Sequence, residues 1–118
     1  MEKGLKETNG KVMVGEVWAK FQWYMAEGMT KSKSKYPPKN WMKPMEDAME
    51  LLNGAERHLL MVKMALQEQN PELLKDPEDG IDHLVKIANN CSMLQYQLEK
   101  FYKFKSQQNS DPLEDYVV

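Results

Sequence analysis

The sequence predicts a small all-α domain built from two long antiparallel helices with a third, N-terminal helix packed across them. Three observations predict it. Apolar residues recur at three- and four-residue steps in three separate stretches. Proline, glycine and acid clusters fall between those stretches, where helices must stop and start. No strand-like alternation is sustained anywhere, and no internal repeat is evident.

Residues 1–11 are polar and aperiodic, and read as a flexible lead-in. Val14, Val17, Trp18, Phe21, Met25 and Met29 then form one apolar face, predicting a helix over about residues 14–30. Lysine and serine alternate through residues 31–35, the composition of a solvated loop. Pro37 and Pro38 exclude helix from the segment that follows, and Tyr36 and Trp41 bracket it as pins to the core. Pro44 suits the first turn of a second helix, predicted over about residues 44–70. Its seam is Met45, Ala48, Leu52, Ala55, Leu59, Val62 and Leu66, a heptad-like series suited to lengthwise packing.

Asn70-Pro71 ends that helix, and Asp76-Pro77-Glu78-Asp79-Gly80 supplies acids where the next helix's positive N-terminus belongs. Asp79 reads as an N-cap there. The third helix is predicted over about residues 80–105, with Ile81, Leu84, Ala88, Cys91, Leu98 and Phe101 on its stripe. A buried Cys91 thiol has no catalytic role. Residues 106–118 read as a flexible acidic tail, leaving residues 12–105 as a single helical domain.

Composition bounds the function. A chain of 118 residues and 13.8 kDa is one domain's worth of protein. Sixteen basic residues against eighteen acidic give a net charge of −2, too little positive field for a duplex-DNA binder. One cysteine makes no internal disulfide, and no apolar run reaches the roughly 20 residues of a membrane span. These readings predict a soluble, cytoplasmic protein with neither DNA nor membrane as partner. Ten methionines are many for this length, and are read first as helical core filling.

His58 and His83 are the only histidines, so position decides their meaning. With Leu59 centred on the second helix's buried stripe, His58 falls about 100° to one side, one turn beyond Gly54. With Leu84 centred on the third, His83 and Asn90 fall about 100–120° to the same side, near Lys86. For antiparallel helices those flanks border one groove, with Gly54 leaving room for a ligand.

The same residues carry a family resemblance. Lys35-Tyr36-Pro37-Pro38-Lys39-Asn40-Trp41-Met42-Lys43 resembles the motif K-Y-x-x-x-N-W-x-K, and Arg57-His58-Leu59-Leu60 resembles R-H-L-L. Residues 76–90 resemble the block D-P-E-S-G-x-x-H-L-x-H-A-x-x-N. The family is the helical domain, found in many phages, known as the dATP/dGTP diphosphohydrolase N-terminal domain. The resemblance spans residues 35–94, with an apparent insertion of about eight residues between Leu60 and Asp76. It implies a phage origin and nucleotide handling. Asn40, Trp41, Arg57, His58, Asp76, Glu78, Gly80, His83 and Asn90 match the pattern. Two positions depart: the family's second histidine is Lys86 here, and its serine is Asp79. An ammonium in place of an imidazole favours phosphate over a metal ion.

Three functions follow as expectations. The first is capture of a nucleotide's phosphates, or of a nucleotide-derived signalling molecule, without turnover, as a phage sponge against host defence. Its ligand-binding residues would be Tyr36, Asn40, Trp41, Arg57, His58, His83, Lys86 and Asn90, with Tyr36 and Trp41 offering stacking faces. The second is an Mg²⁺-dependent diphosphohydrolase, which needs converging carboxylates. Asp76, Glu78 and Asp79 are the metal candidates, and Asp47/Glu50 and Asp79/Asp82 are acid pairs at helical spacing. The third is a structural or interaction module. Met49 and Met64 lie off the inner stripe, so a homo-oligomer is expected.

Overall fold

The computed structural model describes residues 12–32 and 35–104. Three α-helices make the frame: α1 (Ala19–Lys31), α2 (Met49–Gln67) and α3 (His83–Phe101). Single 3₁₀ turns stand at Val14–Glu16, Asn40–Met42 and Pro71–Leu74. Among the described residues there is no strand, only one isolated bridge between Lys75 and Asp82. The all-α prediction holds. α1 and α2 both pack on α3, the central element. The predicted lead-in and the whole of the predicted tail lie outside the described residues.

Each helix is shorter than predicted, for a local reason. α1 starts at Ala19, and Val14, Val17 and Trp18 are 77, 67 and 64 % exposed on the 3₁₀ turn and linker before it. Its inward side is Phe21, Tyr24, Met25, Gly28 and Met29, all half-buried. α2 does not open at Pro44. Lys39 takes a left-handed φ of 60°, Asn40–Met42 turn, and Lys43 is extended. The backbone there is bonded elsewhere: Gln97 Nε2 donates to the carbonyls of Trp41 (2.8 Å) and Lys43 (2.7 Å), and its Oε1 accepts from Met45 N–H (3.1 Å). A segment whose peptide groups are taken by a side chain cannot propagate a helix. α2 begins at Met49, whose N–H is met by Asp47 Oδ1 at 3.0 Å.

The buried stripes are rotated from their predicted positions. On α2, Gly54, Ala55 and Ala65 are buried, while Leu59 and Leu66 are 55 and 74 % exposed and Leu52 is 38 % exposed. The inward direction runs through Leu51, His58 and Ala65, about 100° from Leu59. On α3 the buried residues are His83, Val85, Asn89 and Gln97, and Leu84 faces away from them. Cys91 is exposed, against the expectation of a buried thiol. The cause is small and polar residues at the contacts. Alanines and glycine let α2 approach closely, and carboxamides fill the centre.

Candidate functional site

The loop between α2 and α3 is where the sequence blocks converge. Asp76 Oδ1 accepts from Glu78 N–H at 2.9 Å, and Asp79 Oδ1 accepts from Ile81 N–H at 3.0 Å. Gly80 N–H donates to the Asp76 carbonyl at 2.8 Å, and Asp76 N–H to the Ile81 carbonyl at 2.9 Å. Gly80 closes the turn with φ of +74°, a conformation that glycine alone adopts cheaply. Two aspartates acting as local caps therefore make a tight knot rather than a helix start. The N-cap of α3 is Asp82, with no side-chain cap bond, so Asp79 is not the cap predicted for it.

Lys86 reaches back from α3 into this knot. Its ammonium sits 2.7 Å from Asp76 Oδ2 and 2.8 Å from Asp79 Oδ2, with all three side chains less than a third exposed. Burial pushes both carboxyls up, but hydrogen bonds from Lys86 and from backbone N–H groups outweigh it and hold them below the usual aspartate range. Burial likewise opposes the Lys86 charge, and the two carboxylates more than compensate, raising its pKa. The expected free ammonium for phosphate is thus already neutralised by its own loop.

His58 of α2 and His83 of α3 do not flank a groove; they touch. Their Nδ1 atoms are 2.8 Å apart and the rings 5.1 Å centre to centre, tilted by 35°. The rotation of both stripes explains this, since each histidine points inward rather than to the margin. One Nδ1–H can donate to the other ring's bare Nδ1, so at most one of the facing nitrogens carries its proton when both rings are neutral. Burial, then the neighbouring His83 and Lys86, lowers the His58 pKa and favours the neutral ring. His83 is 4 % exposed, and its Nε2 is buried without a hydrogen-bond partner. One ring nitrogen of each histidine and a carboxylate oxygen of Asp76 all lie within 4.8 Å of one another.

The remaining predicted residues divide. Asn90 sits against Gly54: a Cβ there would lie 2.8 Å from Asn90 Nδ2, so the glycine makes room for the carboxamide rather than a ligand. Arg57 is exposed beside the pair. Glu78 pairs with Lys35 at the surface, away from the Lys86 ammonium that holds Asp76 and Asp79. The predicted triad Asp76, Glu78 and Asp79 is therefore not assembled as an all-oxygen set; Asp76 gathers with two histidines. Trp41 packs edge-on to Tyr96 with centroids 5.0 Å apart, pinning its turn as expected. Tyr36 does not pin it, being 56 % exposed. Asn40 begins the 3₁₀ turn, half-buried. Lys31 Nζ donates to the Asp79 carbonyl at 2.9 Å, tying α1 to the knot.

Sequence reasoning missed Gln97 and Tyr102, which together with Asn89 position these elements. Asn89 Nδ2 donates to the Met25 carbonyl at 3.1 Å, and Tyr102 Oη accepts from Ala48 N–H at 3.2 Å. A carboxamide continuing the seven-residue series His83, Asn90 was the available signal for Gln97.

A family model described as dATP/dGTP diphosphohydrolase, N-terminal, matches residues 1–107. The chain belongs to that family. No curated protein and no solved structure matches it. Lys86 and Asp79, the two positions at which this chain departs from the motif it resembles, form an ion pair with each other. That pairing removes the reason to read Lys86 as an anion hook.

Proposed function

We propose that this domain binds the phosphate chain of a purine deoxynucleoside triphosphate where α2, the 76–80 knot and α3 meet, in the service of diphosphohydrolysis. One observation carries the reading: two separate sequence blocks of a diphosphohydrolase-type family, 57–60 and 76–90, come together around His58, Asp76 and His83. Among the described residues, exposed Arg57 is a cation beside this place suited to a bidentate phosphate contact. Where no metal ion holds it, the neutral His58 ring is the group able to take a proton from attacking water. Cleavage between the α- and β-phosphates consumes that water and releases pyrophosphate. The phage sponge, a binder without turnover, drew its support from a free Lys86 ammonium, and the two aspartates on Lys86 remove it.

Calorimetric titration with dATP and dGTP, followed by pyrophosphate assay, tests the reading. Binding that weakens at least about tenfold in Arg57→Ala and His58→Ala, with pyrophosphate released, is the expected result. Equally tight binding without release turns the reading to capture. No binding to either nucleotide rejects it.

A further inference from the structure

We propose that His58, His83 and Asp76 form a site for one late first-row divalent cation of the Zn²⁺ class, bound through two imidazole nitrogens and a carboxylate oxygen. Among the described residues this is the one group of three metal-ligating side chains brought within reach of a common ion. The ligand chemistry selects the metal. Imidazoles suit Zn²⁺, Co²⁺ and Ni²⁺, whereas Mg²⁺ prefers an octahedron of oxygens and keeps its waters. Two histidines and one carboxylate match the three-ligand pattern of zinc sites that leave a further position open.

The geometry is close to what a cation needs. Bonds of about 2.0–2.1 Å to each ring place tetrahedral nitrogen ligands roughly 3.3 Å apart. The two Nδ1 atoms now stand 2.8 Å apart, so the pair opens by about half an ångström without leaving its helices. His83 is 4 % exposed, and its Nδ1, the nitrogen turned toward His58, meets only the other ring, so no backbone or carboxylate group already claims it. The outer contacts are those of a metal ligand as well: Asp76 is oriented by the Glu78 N–H and by Lys86, each at hydrogen-bonding distance. Two aspartates face one ammonium here, leaving a formal charge of one negative beside the two imidazoles.

This site stands whether or not a nucleotide binds, and its test uses metal alone. The whole chain, freed of metal with chelator, is titrated calorimetrically with ZnCl₂ and separately with MgCl₂. One Zn²⁺ per chain with a raised melting temperature, and no heat from Mg²⁺, is expected. His58→Ala and Asp76→Asn should each weaken Zn²⁺ binding at least about tenfold while keeping wild-type helicity. Co²⁺ added to the wild type should shift the His58 and His83 ring proton resonances paramagnetically, a readout that needs no variant to fold. Absence of stoichiometric Zn²⁺ binding, or Co²⁺ shifts that spare both rings, overturns the proposal.

Discussion

Gln97 is fully buried and holds three backbone groups of the 41–45 segment, so its loss is felt at each of them. Leucine would match its bulk but leave an N–H and two carbonyls unpaired in the interior. Gln97→Leu is expected to cost about 3 kcal/mol, read as a lowered urea midpoint. The two helical glycines give opposite expectations. A Cβ at Gly28 would meet Asn89 Nδ2 at 3.0 Å and Val85 Cγ1 at 3.3 Å, and both neighbours are buried, with Asn89 fixed by its bond to Met25. Nothing there can give, so Gly28→Ala should lose about 1 kcal/mol despite alanine's better helix propensity. At Gly54 the contact is the tip of the half-buried Asn90 side chain, which can swing aside. Gly54→Ala should fall within about 0.5 kcal/mol of wild type in the same measurement.

Among the elements, the 76–80 knot and α3 depend on one another through Lys86. Asp76 and Asp79 have depressed pKa values, so they contribute stability above the unfolded value of 3.8 that is lost as pH falls through their folded values. His58 is depressed too: below its unfolded value of 6.5 the unfolded chain takes up a proton that the folded ring resists, and stability again falls with pH. The melting temperature should therefore drop between pH 7.5 and 5, and further below pH 4. Lys86→Met should lower stability at pH 7 by roughly 1–2 kcal/mol and flatten the step below pH 4. A melting temperature unchanged from pH 7.5 to 5 contradicts the His58 part.

How far the elements were legible follows from which residues pack. The number, type and order of helices could be read, because Pro37, Pro38, Pro71 and the 76–80 loop punctuate the chain and three-four spacing fills the intervals. Helix orientation could not. Centring α2 on Leu59 and α3 on Leu84 assumes that the largest aliphatic residues face inward. Here the buried residues are Gly54, Ala55 and Ala65 on α2 and His83, Val85, Asn89 and Gln97 on α3, a largely small and polar set that hydrophobic periodicity does not see. Of the candidate residues, His58, Asp76 and His83 do come together, but not around a groove: the two rings meet in contact, and Lys86 turns toward its own loop.

For the whole molecule, the rotation that buries His58 leaves Leu52, Leu59 and Leu66 outward on α2 at seven-residue spacing, with Glu56 and Lys63 exposed between them. Two antiparallel copies of this face would set Glu56 of each against Lys63 of the other, an isologous pairing. Light scattering is expected to report a dimer that Leu59→Glu converts to monomer; a wild-type monomer at micromolar concentration would contradict it. The nucleotide reading is tested most directly by nitrogen–proton correlation spectra of the chain titrated with dATP. The largest changes should fall on residues 76–80, Arg57 and the rings of His58 and His83. Spectra unmoved there at millimolar dATP, or moved only on other surfaces, would contradict a nucleotide site at the junction of α2 and α3.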